Sequence, residues 1–197
     1  FEFLGIWAAK KSKGQPYRLM VMLMIITGVA SPILDNVTVI MLVVPVTIVV
    51  CERLAISAQP YIIAEVLASN IGGAATLIGD PPNIIIASRA GLTFNDFIVH
   101  MTPIVAIIFA GFVLLSRLLF RKDFAYHPDR VASVMALQER RAITDMRQLV
   151  RCLVVLGLVV VGFCLHSVLH TEPSIIALVG ALVMVLVSGI EIEDVLP

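Results

Sequence analysis

Charge is scarce in this chain. Asp, Glu, Lys and Arg make up 14% of its 197 residues, where a soluble domain carries about a quarter. The 14 basic and 14 acidic residues cancel to a net charge of zero, which reads as no nucleic-acid partner. Cysteine is sparse too, and odd in number. Cys51, Cys152 and Cys164 lie in or beside apolar runs and read as small buried hydrophobes, not as a disulfide framework. There is no His-Glu-x-x-His for a metalloprotease and no signal-peptide pattern at the start. The chain opens at Phe1 and closes on Glu193-Asp194-Val195-Leu196-Pro197 straight after an apolar run. We read it as an internal segment of a longer protein.

What is plentiful is apolar sequence. Hydrophobic residues reach 59% and the mean hydropathy is +1.02. Long apolar runs alternate with short charged stretches, the pattern of an all-α, multi-pass membrane protein. Residues 150–170 are long enough to span a bilayer, and 174–190 form a shorter run that spans with little tilt. Another full span is expected over about 96–120. Between it and the last two spans lies a charged linker, 121–149. Within it, residues 129–148 set Val131, Val134 and Leu137 at helical spacing among Arg and Glu. That spacing predicts an amphipathic helix on the cytoplasmic membrane surface, with Asp129 as its N-cap. Trp7 and Tyr17 read as interfacial anchors.

The first ninety residues do not divide into simple spans. About 18–53 is too long for one crossing and too short for two with a solvated loop. Its middle, Ala30-Ser31-Pro32-Ile33-Leu34-Asp35-Asn36, interrupts two apolar arms. Arms of about 12 to 15 residues reach only part-way through a core of about 30 Å. A re-entrant hairpin, entering and leaving by one face, is the economical solution. The next segment, about 60–89, is interrupted by Asn70-Ile71-Gly72-Gly73 and then by Gly79-Asp80-Pro81-Pro82-Asn83. Paired glycines and paired prolines break helices, so this is expected to be a discontinuous transmembrane helix. The chain therefore divides into a transport unit at 1–120, the linker at 121–149 and two spans at 150–197. With the hairpin entry and linker cytoplasmic, only Arg89 of the 14 Lys and Arg falls outside. This positive-inside bias fixes the orientation but does not distinguish a re-entrant hairpin from two full spans.

Asp35 is the sharpest chemical feature. A carboxylate at membrane mid-depth costs roughly 2.5 to 3.5 kcal/mol on insertion scales and is a functional candidate by default. Protons and metal cations compete for such a group. The plainer alternative is an acid that only caps a helix. Asn36 and Thr38 add neutral oxygens beside it. Ser69, Asn70, Gly72, Gly73 and Thr76 form a second group at the expected helix break. There, free carbonyls suit a cation and free N–H groups suit an anion. Tight packing through small residues is the competing reading. Asp80 and Asn83 flank the Pro-Pro turn as a further acid and amide, or as turn residues. Glu65 sits near the start of its helix, where it would snorkel toward the interface. His166 and His170 lie four apart on one helical face near Cys164, but no fourth ligand is in view for a metal.

These residues resemble a known family. Ser31-Pro32-Ile33-Leu34-Asp35-Asn36-Val37-Thr38, followed by Pro45-Val46-Thr47, resembles the hairpin motif of the ion transporter superfamily. Ala68-Ser69-Asn70-Ile71-Gly72-Gly73-Ala74-Ala75-Thr76-Leu77-Ile78-Gly79-Asp80-Pro81-Pro82-Asn83 looks like its broken-helix motif. The resemblance is nearest to the group of arsenite permeases, P protein and sodium/proton antiporters with a citrate transporter-like domain. It is specific over about 28–88. It implies two inverted repeats, each with a hairpin and a broken helix, and a site between them. This chain is similar to the first repeat and the opening of the second. It lacks the second hairpin and second broken helix, so alone it is not expected to transport. The resemblance also implies a homodimeric carrier in the plasma (inner) membrane, with the hairpin and broken helix in its moving part. It implies sodium or protons as coupling ions, no cofactor, and Asp35, Asn36 and Asn70 as a sodium site.

The expectation is secondary active transport of a small inorganic ion, either arsenite-type efflux coupled to protons or sodium, or sodium/proton antiport. The helix break has no nearby Lys or Arg, which disfavours citrate or a dicarboxylate unless sodium neutralises it. An intramembrane aspartyl protease would need Asp35 opposite Asp80, but Leu77 stands where such proteases carry a second glycine. A channel remains a further alternative, separated from a carrier by saturable, coupled flux.

Overall fold

The computed structural model describes residues 1–124, 126–135, 146–169 and 172–188. Among these residues every regular element is helical: α1 Glu2–Lys11, α2 Pro16–Ala30, α3 Asn36–Leu54, α4 Gln59–Gly73, α5 Pro81–Ala90, α6 Phe94–Leu119, α7 Val131–Met135, α8 Met146–Leu169 and α9 Pro173–Ser188. The local sequence explains most boundaries. Prolines open α2, α4, α5 and α9 in the first turn, where a missing N–H costs nothing. The chain forms two compact units, Phe1–Leu92 with Asp96–Ala142, and Thr93–Asn95 with Ile143–Pro197.

In the first unit, α4 packs against both α2 and α3, and α1 lies across α2 and α3. Leu19, Met20, Leu23 and Met24 meet Val50, Cys51 and Leu54 of α3 and Tyr61, Ala64 and Ala68 of α4 in one apolar core. Helices α2 and α4 have 15 residues each, about 22 Å at the usual rise. That is short of a bilayer core of about 30 Å. Among the described residues three helices are long and apolar enough to cross a membrane: Asn36–Leu54, Phe94–Leu119 and Met146–Leu165. Val99, Ile107, Leu114 and Leu118 of α6 are all more than 60% exposed. Water does not suit so continuous an apolar face, and lipid does.

Basic residues gather at one end of this unit. The Tyr17 hydroxyl donates to the Val113 carbonyl at 3.1 Å, its ring meets Phe124 edge-on, and the Arg117 guanidinium lies 5.6 Å over it. Tyr17, expected as an interfacial anchor, is half-buried against these groups. Gly14 lies against Val131 and Leu54, which brings Lys10, Lys11, Lys13 and Arg53 to the same end. Arg89 stands apart, in the last turn of α5.

Of the expected linker helix, residues 136–145 lie outside the described residues. A 3-10 turn, Pro128–Arg130, precedes α7, and Asp129 sits inside that turn, where it was expected as the N-cap. Val134 is fully buried in the core of the unit, facing protein and not a membrane surface. Leu137 lies outside the described residues. In the second unit α8 and α9 pack together. Gly162 fits under Ile176, Gly180 under Val159, and the Gln148 amide donates to the Ser188 carbonyl at 2.5 Å. Helix α8 begins at Met146, a turn earlier than the expected span. His170 and the side chain of His166 lie outside what is described.

Candidate functional site

The turn between α2 and α3 and the break between α4 and α5 meet at the end of the first unit away from its basic residues. Ala30 closes α2 and Pro32 keeps it from continuing. Asp35, in extended conformation, then starts α3 as its N-cap. Its carboxylate accepts from the Thr38 N–H at 2.9 Å through one oxygen and from the Thr38 hydroxyl through the other. The capping alternative is therefore realised in the geometry. It does not exhaust the group, since each oxygen keeps a free lone pair. Asp35 and Asn36 are half-buried, and Thr38 and Asn70 are exposed.

Asn36 links the two motifs. Its amide donates to the Asn70 side-chain oxygen at 2.9 Å. The buried Ser69 hydroxyl lies 3.2 Å from both the Ser31 hydroxyl and the Asn36 carbonyl. Thr76 donates to the Pro32 carbonyl at 2.5 Å and accepts from the Gly79 N–H at 3.2 Å. Asn83 reaches back from α5 to the carbonyls of Gly73 and Thr76, at 3.3 and 2.8 Å. Asp35, Asn36, Thr38, Ser69, Asn70 and Thr76 are thus brought together, with Asn83 bracing them from behind. Asp80 is half-buried at the N-cap of α5 and makes no side-chain cap bond.

The break lies later than the sequence suggested. Asn70, Gly72 and Gly73 are still helical, and the interruption is Ala74–Asp80. The two glycines serve backbone approach. A Cβ on Gly72 would strike the Gly28 carbonyl oxygen, with the Gly28 Cα only 2.9 Å away. A Cβ on Gly73 would lie 2.7 Å from the Gly79 carbonyl oxygen. The expected anion-binding end of the second half-helix is also poorer than anticipated. Pro81 and Pro82 occupy its first turn and have no N–H, and the Asn83 N–H is bonded to the Asp80 carbonyl at 3.0 Å. The first half-helix has likewise used several carbonyls, with those of Asn70 and Gly72 accepting from Ala74 and Ala75.

Sequence reading missed Ser31, whose hydroxyl faces Ser69, and Thr102, which donates to the Ala75 carbonyl at 3.1 Å. It also misjudged Glu65. That side chain does not snorkel: it is fully buried and accepts from the Thr47 hydroxyl at 2.6 Å. Its flanks, Ile62-Ile63 and Val66-Leu67, carried the signal, because an acid inside an apolar arm has no water to reach. Beside the site, Gly28, Pro32, Gly72, Ala75, Thr102 and Phe109 border an apolar cavity of about 330 Å³.

Comparison with known proteins identifies the family of the chain. The family model described as Citrate transporter (CitMHS) matches residues 1–197. The chain is 53% identical over 196 residues to a 46 kDa membrane protein of Mycobacterium leprae, covering 100% of this chain and 46% of the relative. It is 52% identical to an uncharacterized transporter of Mycobacterium tuberculosis, again over 196 residues, 100% of this chain and 46% of the relative. The human P protein is 39% identical over 141 residues, 68% of this chain and 17% of that protein. No solved structure matches the chain. The chain spans about half the length of its mycobacterial relatives. Strongly apolar and matched along its whole length, the chain belongs to the citrate transporter family of membrane transporters.

Proposed function

We propose that this chain is the first half of a secondary carrier that binds a small inorganic ion between the α2–α3 turn and the α4–α5 break. The carrying observation is the Asn36–Asn70 hydrogen bond at 2.9 Å, which ties the turn to the broken helix beside the Asp35 carboxylate. Asp35, Asn36, Thr38, Ser69, Asn70 and Thr76 supply one charge and several neutral oxygens. Sodium or a proton suits such a set, as do the hydroxyls of arsenite, which is uncharged at neutral pH. Gly72 and Gly73 hold the turn and the break close enough to share the ion. With two prolines opening α5 and no Lys or Arg beside the break, a multiply charged anion such as citrate would need bound sodium to neutralise it.

Arsenite-type efflux coupled to protons or sodium is the first reading, and sodium/proton antiport the second. Asp35 favours the second, because a lone carboxylate exchanges a proton for a cation directly. In both, α2 with α3 is a re-entrant hairpin entered from the cytoplasm, and the full-length protein works as a homodimer in the plasma membrane. The hairpin is supported by the 15-residue α2, too short to cross, and not by the 19-residue α3, which is longer than the expected arm and long enough to cross. The test is everted vesicles carrying the full-length protein and a pH-reporting dye. If sodium collapses the pH gradient in wild type and not in Asp35→Asn, the protein is a sodium/proton antiporter. If sodium does nothing in either, antiport is out and arsenite uptake is measured next. Uptake of neither ion would sink the proposal.

A further inference from the structure

Glu65 lies one helical turn before Ser69 on α4, outside the site just described. It is the only carboxyl group among the fully or nearly buried described residues, and no Lys or Arg is buried with it. One oxygen, Oε1, accepts from the Thr47 hydroxyl of α3 at 2.6 Å. The other, Oε2, is buried with no partner, and so is the phenol oxygen of Tyr61. Tyr61 and Glu65 are four residues apart and share one face of α4. The titratable groups facing this pair are the buried Cys51 thiol of α3 and, toward Tyr61, Asp123. The other elements packed here contribute Leu19, Met20, Leu23 and Met24 of α2, Ile6, Ala8 and Ala9 of α1, and Val134 of α7. None of these carries a charge. A carboxylate in this position would be a buried charge held by one hydroxyl and opposed by no cation. A neutral acid leaves no such charge, and its Oε1 keeps the Thr47 hydrogen bond.

We propose that Glu65 is a proton-binding site of the carrier, with Thr47 as its positioning residue. This rests on the transport reading above. The proton leaves Oε2 to a water admitted between α3 and α4, which departs as hydronium, and a hydronium arriving by the same route returns a proton and leaves as water. No electrons move, and Oε1 keeps the Thr47 hydrogen bond throughout. The site is built into the same helices as the ion site. Asp35 caps α3 at one end while Thr47 lies toward the other, and Glu65 and Ser69 are about 6 Å apart along α4.

The test uses the full-length carrier in two preparations. In lipid nanodiscs, infrared difference spectra between acidic and alkaline buffer should contain a carboxylic-acid C=O band that is absent from Glu65→Gln. Thr47→Val should keep that band and move it to higher frequency, because the hydroxyl bonded to the carbonyl is gone. In vesicles, exchange of labelled sodium or labelled arsenite for the same ion should persist in Glu65→Gln, while accumulation driven by an imposed pH gradient is lost. Undiminished pH-driven accumulation in Glu65→Gln overturns the proposal, as does a wild-type spectrum with no Glu65 band. If Glu65→Gln does not fold, an unshifted band in Thr47→Val overturns it instead. Wild-type vesicles that move neither ion sink the transport reading, and the infrared band then decides Glu65 separately.

Discussion

Asp35 accepts one hydrogen bond on each carboxylate oxygen, both from Thr38. Its structural and chemical roles separate by substitution. Asn caps a helix about as well as Asp, so Asp35→Asn should melt near the wild-type temperature while losing the sodium response in vesicles. Asp35→Ala should lose the cap as well and cost about 1 kcal/mol, read as a lower melting temperature in detergent. Equal melting of all three proteins would show that the cap contributes nothing. Gly72 makes a sharper case. Any side chain there meets the Gly28 backbone, and a backbone cannot turn aside as a rotamer can. Gly72→Ala should cost about 1–3 kcal/mol by overpacking, seen as a lower melting temperature. Gly111→Ala, with open space around it, is the control expected to change little.

The break between α4 and α5 is a braced loop. Thr76 spans it from the Pro32 carbonyl to the Gly79 N–H, and Asn83 closes it from α5. Thr76→Val leaves a part-buried carbonyl and an N–H without these partners, at about 1–3 kcal/mol each if water does not replace them. Hydrogen exchange should then speed up at the Gly79 amide while the core of α2 keeps its protection. Unchanged exchange at Gly79 would mean that the brace is not what holds the loop. The existence of this break was legible, because Gly-Gly and Pro-Pro punctuate an otherwise apolar run. Its position was not: helical glycines and loop glycines look alike in sequence, and only the approach of Gly28 shows Gly72 to be a packing point. Asp35 and Asn36 were legible as polar residues between apolar arms. The Thr47–Glu65 pair was not, since it joins two helices whose relative rotation no single-helix pattern reveals. Helix α1 went unread because its ten residues carry no amphipathic stripe.

At the scale of the whole molecule, the polar edge of the site at Thr38 and Asn70 is exposed in a chain about half as long as its mycobacterial relatives. By itself, in vesicles with the pH-reporting dye, this chain should give no response to sodium or arsenite. Co-expression with the remaining half of a full-length carrier should restore one, and transport by the chain alone would show that it needs no second repeat. Large apolar faces on α6, α8 and α9 remain exposed, available to lipid and to that second half. The joints at Gly28–Gly72 and Gly73–Gly79 have a mechanical consequence. Where main chain rests on main chain, no side-chain rotamers are available to let the surfaces creep past one another. Helices α2 and α4 therefore travel together or come apart, and on the proposed reading an ion held between the turn and the break would be carried by a displacement of the pair as one piece, not by a ripple through it.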